Sequence, residues 1–463
     1  VSIPTIAEAA RLIATRKLSP VELTHACLER MHSLDDALHA FVLPTEERAL
    51  AEARAAEADI MRNGPRGPMH GIPIGLKDIV NTEGLATTCQ SKILKDNIPD
   101  ADATCAEKLA QAGTILMGKL TTHEFADGGP SFDLPSPPSR NPWNTDHFTA
   151  GSSSGTGAAV AAGMILCGIG TDTGGSIRGP AALCGIAGIK PTYGLVSRAG
   201  VAPAAYSLDH IGPMAWTAED CAIMLQVLAG HDPRDPHSAN RPVPDYTAQL
   251  GSGVKGMRVG VIRHFHETDH KVAAATQAGI DNTLAVFRDL GAEIVDVTLS
   301  PLQDWHACGS LISITERAAA YNEWARTRLP DFSERVQRRL MLGALVSGVD
   351  YVHATQRRRE LRDELRASMR TLDVVVTAGA PGEAPKMDAI PRWDVFAAPG
   401  FTMPFNVAGY PAICVCSGFG PAGLPVSVQL VGKPFQEATV LRMADAFEKA
   451  TAYRGSRPAM VAA

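Results

Sequence analysis

A chain of 463 residues with 45% hydrophobic and 20% charged residues is long enough to bury a sizeable core and carries no disordered or collagenous bias. Its formal net charge of −6 argues against a general nucleic-acid or anionic-membrane surface and leaves small neutral or anionic partners open. The nine cysteines are odd in number and scattered, without a CxxC pair, which excludes a disulfide framework and fits free thiols in a reducing, cytoplasmic compartment. The N-terminus shows no basic region leading into an apolar core, and the apolar runs are too short to span a bilayer, so no membrane association is expected.

Thr5 with Glu8, and Ser19 with Glu22, match the capping box that satisfies free N–H groups at a helix start, predicting helices from about Ile6 and Pro20. A third helix, rich in Ala, Glu and Arg, is predicted from Thr45 to Arg62 and closed by Asn63, Gly64 and Pro65. Residues 1–65 therefore read as a helical N-terminal layer. Between Gly71 and Val80, apolar residues of β type surround Lys77, which places a lysine in a buried segment. Such a lysine either snorkels or pairs with an acid such as Asp78, or it loses its charge to desolvation and becomes a neutral base. Gly113 to Lys119 has the glycine and lysine spacing of a phosphate-binding loop, but Leu120 stands where a hydroxyl should bind magnesium and the four inner residues are apolar, so that reading is rejected.

Gly128 to Asn144 forms a proline-rich loop, and the stretch from Phe148 to Lys190 follows. It sets two glycine-serine loops, Gly151 to Gly157 and Gly174 to Ser176, on either side of an apolar run that is too hydrophobic for a linker. Further on, a capped helix is predicted from Thr217 to Leu228, and Asp232 to Pro244 reads as a linker or surface excursion. A strand at 257–262, a helix at 272–290 and a strand at 293–299 make a βαβ unit. Residues 300–370 are mainly helical, and strands near 372–377, 412–416 and 426–431 precede a final helix at 436–451. The alternation predicts an α/β fold with a central mixed, mostly parallel twisted sheet covered by helices on both faces.

Three serine chemistries fit. Gly151 to Gly155 matches a nucleophile elbow centred on Ser153, but no hydrophobic strand precedes it. Both loops could be turns or anion nests, as in a non-enzymatic binding module. Alternatively, Lys77 in its neutral form takes a proton from a serine and a second serine relays it, while Gly174 and Gly175 let backbone N–H groups converge on an oxyanion.

Gly75-Leu-Lys-Asp78, Gly151-Ser-Ser-Ser-Gly-Thr-Gly157 and Gly170-Thr-Asp-Thr-Gly-Gly-Ser-Ile-Arg178 resemble the amidase signature family, and Asp209 to Pro213 and Gly423 to Gly432 extend the likeness along nearly the whole chain. The resemblance implies Lys77 as base, Ser152 as a bridging serine held by a cis peptide, and Ser176 as nucleophile. It also implies an oxyanion hole from Thr173, Gly174, Gly175 and Ser176, with Ser153, Asp172 and Arg178 in support and no metal or organic cofactor. It predicts one domain over residues 1–463, with the signature core at 71–215 and a variable helical region at 300–370 near the substrate.

The family includes free-standing hydrolases and the glutaminase (A) subunit of a tRNA-dependent amidotransferase. Pro399 stands where that subunit usually carries an acid, and the run from Ala398 through Phe401 to Asn406 looks more like the hydrolases. The resulting expectation is a free-standing amidase for a small neutral amide with an apolar or aryl part, extending to esters and carbamates. Its partners would be that small molecule and water, with no nucleic acid and no membrane; a homodimer is left open. Gly128, Gly129, Phe132 and Tyr206 are candidates to line the substrate pocket.

Overall fold

The structure, a computed structural model, describes residues 3–390 and 399–462. Both capping boxes form. Glu8 N–H donates to Thr5 Oγ1 at 3.1 Å while Thr5 N–H donates to Glu8 Oε2 at 2.9 Å, opening the helix Ile6–Ala14. Ser19 and Glu22 do the same for Pro20–Leu38, and a third helix follows at Glu46–Asn63. The first helix is tied to Ala218–Leu228 by Ala7 N–H donating to Asp220 Oδ1 at 3.1 Å.

The strands in chain order are β1 (Phe41–Pro44), β2 (Pro73–Lys77), β3 (Ile115–Leu120), β4 (Arg140–Asn141), β5 (Asn144–Phe148), β6 (Cys167–Asp172), β7 (Ala187–Lys190), β8 (His210–Ala215), β9 (Arg258–Val261), β10 (Glu293–Asp296), β11 (Val374–Ala378), β12 (Ala412–Phe419) and β13 (Pro425–Gly432). Eleven of them form one mixed sheet in the order β1-β3-β2-β6-β8-β7-β12-β13-β11-β9-β10, with β4 and β5 apart as a two-stranded ribbon. Parallel ladders join β2 to β3 and β6, and β9 to β10 and β11; antiparallel ladders join the rest. The sheet is flanked by helices, giving the expected mixed α/β architecture, with four parallel ladders and six antiparallel ones.

The apolar run between the two glycine-serine loops resolves into the helix Ser154–Ala161 and strand β6, both buried throughout. Strands β1, β4, β5, β6, β7 and β8 are not among the predicted elements. β7 and β8 are buried along their whole length, so they show no apolar-polar alternation to read. Gly113 to Lys119 runs into β3, in keeping with the rejected phosphate loop. Asp232 to Pro244 runs along the surface and is anchored by two buried carboxylates, Asp232 and Asp235, the second holding Arg198 in an ion pair at 3.0 Å.

Residues 300–370 supply the helices Leu302–Ala320, Glu334–Leu345 and Gly348–Ser368. They meet the loop after β3 through a small buried cluster in which Phe125 touches Tyr321, Trp324 and Phe332. Arg317 also donates to the Phe125 carbonyl at 2.9 Å. Among the described residues no helix is long and apolar enough to cross a membrane, and all nine cysteines are free.

Candidate active site

Lys77 is the last residue of β2, a strand buried on both faces between two parallel neighbours. Its Nζ donates to Ser152 Oγ at 2.7 Å and to Thr171 Oγ1, on adjacent β6, at 2.8 Å. Asp78 does not pair with it. The Asp78 carboxylate faces Lys119, with Nζ 3.6 Å away, and accepts the Thr88 hydroxyl at 2.6 Å. Neighbouring residues of an extended chain point to opposite sides, so the two buried lysines have separate environments. Burial pushes the Lys77 amine down to about 7, although Asp172 and Asp209 pull the other way.

The first glycine-serine loop crosses over this amine. The Gly151–Ser152 peptide is cis, and a Cβ at Gly151 would overlap the His123 imidazole. The Ser152 carbonyl accepts the His123 N–H at 3.1 Å. Ser153 Oγ accepts Thr171 N–H at 3.2 Å and donates to the Thr171 carbonyl at 3.3 Å, which stitches the loop to β6. Its own N–H donates to the Ser176 carbonyl at 3.3 Å and brings the two loops into contact. The strand before this loop, β5, is polar and outside the central sheet, unlike the strand a nucleophile elbow needs.

The second loop is folded around Asp172. Its carboxylate accepts the N–H groups of Gly175 at 2.8 Å and Ile177 at 3.1 Å, and takes Arg178 through Nε at 3.0 Å and Nη2 at 2.9 Å. Burial opposes ionisation of Asp172, but the Arg178 guanidinium outweighs it and holds the carboxyl well below the usual range. Arg178 is braced in turn by the Thr402 carbonyl at 2.8 Å, Gln429 Oε1 at 2.6 Å and Asn406 Oδ1. Thr402 Oγ1 donates to the Gly174 carbonyl at 2.6 Å, and Gly175, at φ +140°, has no room for a Cβ against that hydroxyl. Thr173 Oγ1 donates to Asp209 at 2.6 Å, and Ser176 is half-buried at the end of the turn. The turn departs from expectation at Gly175, whose N–H is taken by Asp172.

Lys77, Ser152, Ser153, Asp172, Thr173, Ser176 and Arg178 are thus gathered in one place. Thr171, Asp209, Thr402, Asn406 and Gln429 belong to the same network and were missed by sequence reasoning. Period-two alternation from Thr173 could have pointed to Thr171; Asn406 and Gln429 lie too far along the chain for any local signal.

The pocket candidates are dispersed. The Gly128 carbonyl accepts Arg335 Nη1 at 3.0 Å, and a Cβ at Gly129 would overlap the same guanidinium. Phe132 is 65% exposed beside a cavity of about 430 Å³ that Arg335 also lines, whereas Tyr206 is 50% exposed on a different cavity of about 340 Å³.

The Amidase family model matches residues 22–441. The A subunit of the glutamyl-tRNA(Gln) amidotransferase of Chloroflexus aggregans is 40% identical, with 98% of each chain covered. The solved A subunit of the Thermotoga maritima glutamyl-tRNA(Gln) amidotransferase superposes with a TM-score of 0.81 at 34% identity, over 96% of this chain and 94% of that one. The native peptide amidase of Stenotrophomonas maltophilia superposes with a TM-score of 0.85 at 30% identity, over 98% of both chains.

The curated relatives overturn the expectation of a free-standing hydrolase for small neutral amides, whose only partners would be a small molecule and water without nucleic acid. That expectation leaned on the wording from Phe401 to Asn406. In the structure, Thr402 and Asn406 brace the Asp172–Arg178 turn, a task that does not depend on the substrate. Pro399 receives His270 Nδ1 on its carbonyl at 2.8 Å, and Ala398 lies outside the described residues. From the family model and the full-length similarity together, the chain belongs to the amidase signature family.

Proposed function

We propose that this chain is the amide-hydrolysing component of a tRNA-dependent amidotransferase, releasing ammonia from glutamine for a partner protein. The observation that carries this reading is 40% identity, over 98% of both chains, to the A subunit of a glutamyl-tRNA(Gln) amidotransferase. The Lys77–Ser152 hydrogen bond of 2.7 Å supplies the chemistry.

With its proton affinity lowered to about 7, Lys77 carries a substantial neutral fraction at physiological pH. The neutral amine takes the Ser152 proton as Ser152 takes that of Ser176, and Ser176 Oγ attacks the carboxamide carbon. Thr173, Gly174 and Ser176 offer backbone N–H groups to the oxyanion, while the Gly175 N–H holds the turn in shape through Asp172. The proton then returns through Ser152 to the departing ammonia. Water releases the acyl group by the same relay, leaving glutamate.

The test is ammonia release from glutamine by the purified chain, alone and with the partner proteins of a bacterial amidotransferase. Partner-stimulated glutaminase activity, together with amidation of glutamyl-tRNA(Gln), is expected. Anilide hydrolysis by the chain alone, with no glutaminase activity in the assembled complex, would reject the proposal.

A further inference from the structure

A cavity of about 700 Å³ lies where the first two helices meet the C-terminal segment, with Arg11, Arg30, Arg454 and Arg457 in its wall. Two acids share that wall, Glu8 and Glu219, so the arginines outnumber them two to one. Glu8 is already engaged, because its carboxylate accepts the Thr5 N–H at 2.9 Å in the capping box. Among the described residues, the guanidinium groups of Arg11, Arg454 and Arg457 make no hydrogen bond and no ion pair. The carboxyls behind the wall do not make up the difference. Burial pushes Asp220 up to about 7 and Glu448 up to about 8, although Arg454 pulls Glu448 the other way, so both are in large part uncharged near neutral pH.

The arginines at the C-terminal end are held by a fixed frame. Trp216, 6% exposed, donates through Nε1 to the Arg454 carbonyl at 2.9 Å, and the Arg457 guanidinium lies over its ring, 3.4 Å from the centroid. Stacking on an aromatic face holds a guanidinium without using its fork of N–H donors, which stays available to an oxyanion. Burial also pulls Arg457 down to about 10, with Arg30 adding to the effect while Asp220 and Glu8 oppose it. A cation that is partly desolvated and not paired gains from a bound anion.

We propose that this cavity binds a small phosphate compound carrying two or more negative charges, its oxygens shared among Arg11, Arg454 and Arg457. A monocarboxylate would offset half of the excess charge, whereas a phosphoryl group brings about two charges and three acceptor oxygens. The volume suits a small molecule. The site is apart from the catalytic network: Trp216 directly follows β8, and it is His210, at the other end of that strand, that lies beside the Asp172 carbonyl.

Inorganic pyrophosphate, inorganic phosphate, glycerol 3-phosphate and acetate would be titrated into the full chain by calorimetry at one ionic strength. Pyrophosphate is expected to bind saturably, at least about tenfold more tightly than acetate. Arg11→Gln combined with Arg454→Gln, both at exposed positions, should weaken pyrophosphate binding at least about tenfold and leave the thermal unfolding midpoint unchanged. Glycerol 3-phosphate binding more tightly than inorganic phosphate would assign the site to an organic phosphate, and the reverse order to the free anion; either supports it. Equal binding of pyrophosphate and acetate, no saturable pyrophosphate binding, or undiminished binding in the double variant would overturn the proposal. So would an oligothymidylate that binds more tightly than pyrophosphate with a steep salt dependence, since that marks a nucleic-acid backbone as the ligand. Because these readouts record binding rather than turnover, they stand or fall separately from the proposed glutaminase activity.

Discussion

Lys77 and Thr171 are joined across neighbouring strands, with Nζ donating to Oγ1 at 2.8 Å, so that both hydrogen-bond partners of the buried amine are hydroxyls. The adjacent carboxylate, Asp78, is turned toward Lys119 instead. A buried amine held by neutral acceptors is poised to lose its proton, and desolvation outweighs the pull of Asp172 and Asp209 toward the charged form.

Activity should therefore rise with pH through about 7 and level off above it, as the Lys77 amine becomes neutral. Thr171→Val removes an acceptor that favours the ammonium form, so the acidic limb of kcat/KM should move to lower pH. Loss of alignment should lower the plateau roughly tenfold. An acidic limb that stays in place or moves upward in this variant would show that Thr171 does not tune the amine.

Lys77→Met and Ser176→Ala should each lower kcat by at least about 10³-fold, since either change breaks the proton relay. Both variants should retain cooperative unfolding at a midpoint close to that of the wild type. Substantial turnover by Ser176→Ala would exclude Ser176 as nucleophile.

Asp172 and Arg178 are both fully buried and pair at 2.9 Å. Removing one partner leaves an uncompensated buried charge, so Arg178→Met or Asp172→Asn should cost about 3–5 kcal/mol in urea unfolding. The double variant should cost less than the sum of the two. Strict additivity would mean that the residues act independently.

Gly151→Ala places a methyl group against the His123 ring, and should lower kcat with a stability loss of about 1–3 kcal/mol from overpacking. Pairing it with His123→Ala opens that space and should restore part of both losses. No recovery in the double variant would locate the damage elsewhere.

Several features were legible because they are local. Thr5 with Glu8 and Ser19 with Glu22 announce helices through contacts spanning three residues, and both helices form. Lys77 within an apolar β segment announces a buried amine, and Lys77 is fully buried. The resemblance of the two glycine-serine loops to one family selected Ser152 from three adjacent serines, and Lys77 does donate to Ser152. The substrate was misread because Phe401 to Asn406 looks like a local specificity motif while Thr402 and Asn406 serve as braces for the Asp172–Arg178 turn.

By itself the sequence determined the capped helices, the buried lysine and the glycine-dependent turns, since these follow from capping, desolvation and backbone freedom within a few residues. Only the tertiary structure decided that Asp78 belongs to Lys119 and that Thr171 belongs to Lys77. The same holds for Asn406 and Gln429, which reach Arg178 from 228 and 251 residues away. Those pairings depend on the order in which distant strands and loops are brought together, and no local pattern of residue types encodes that order.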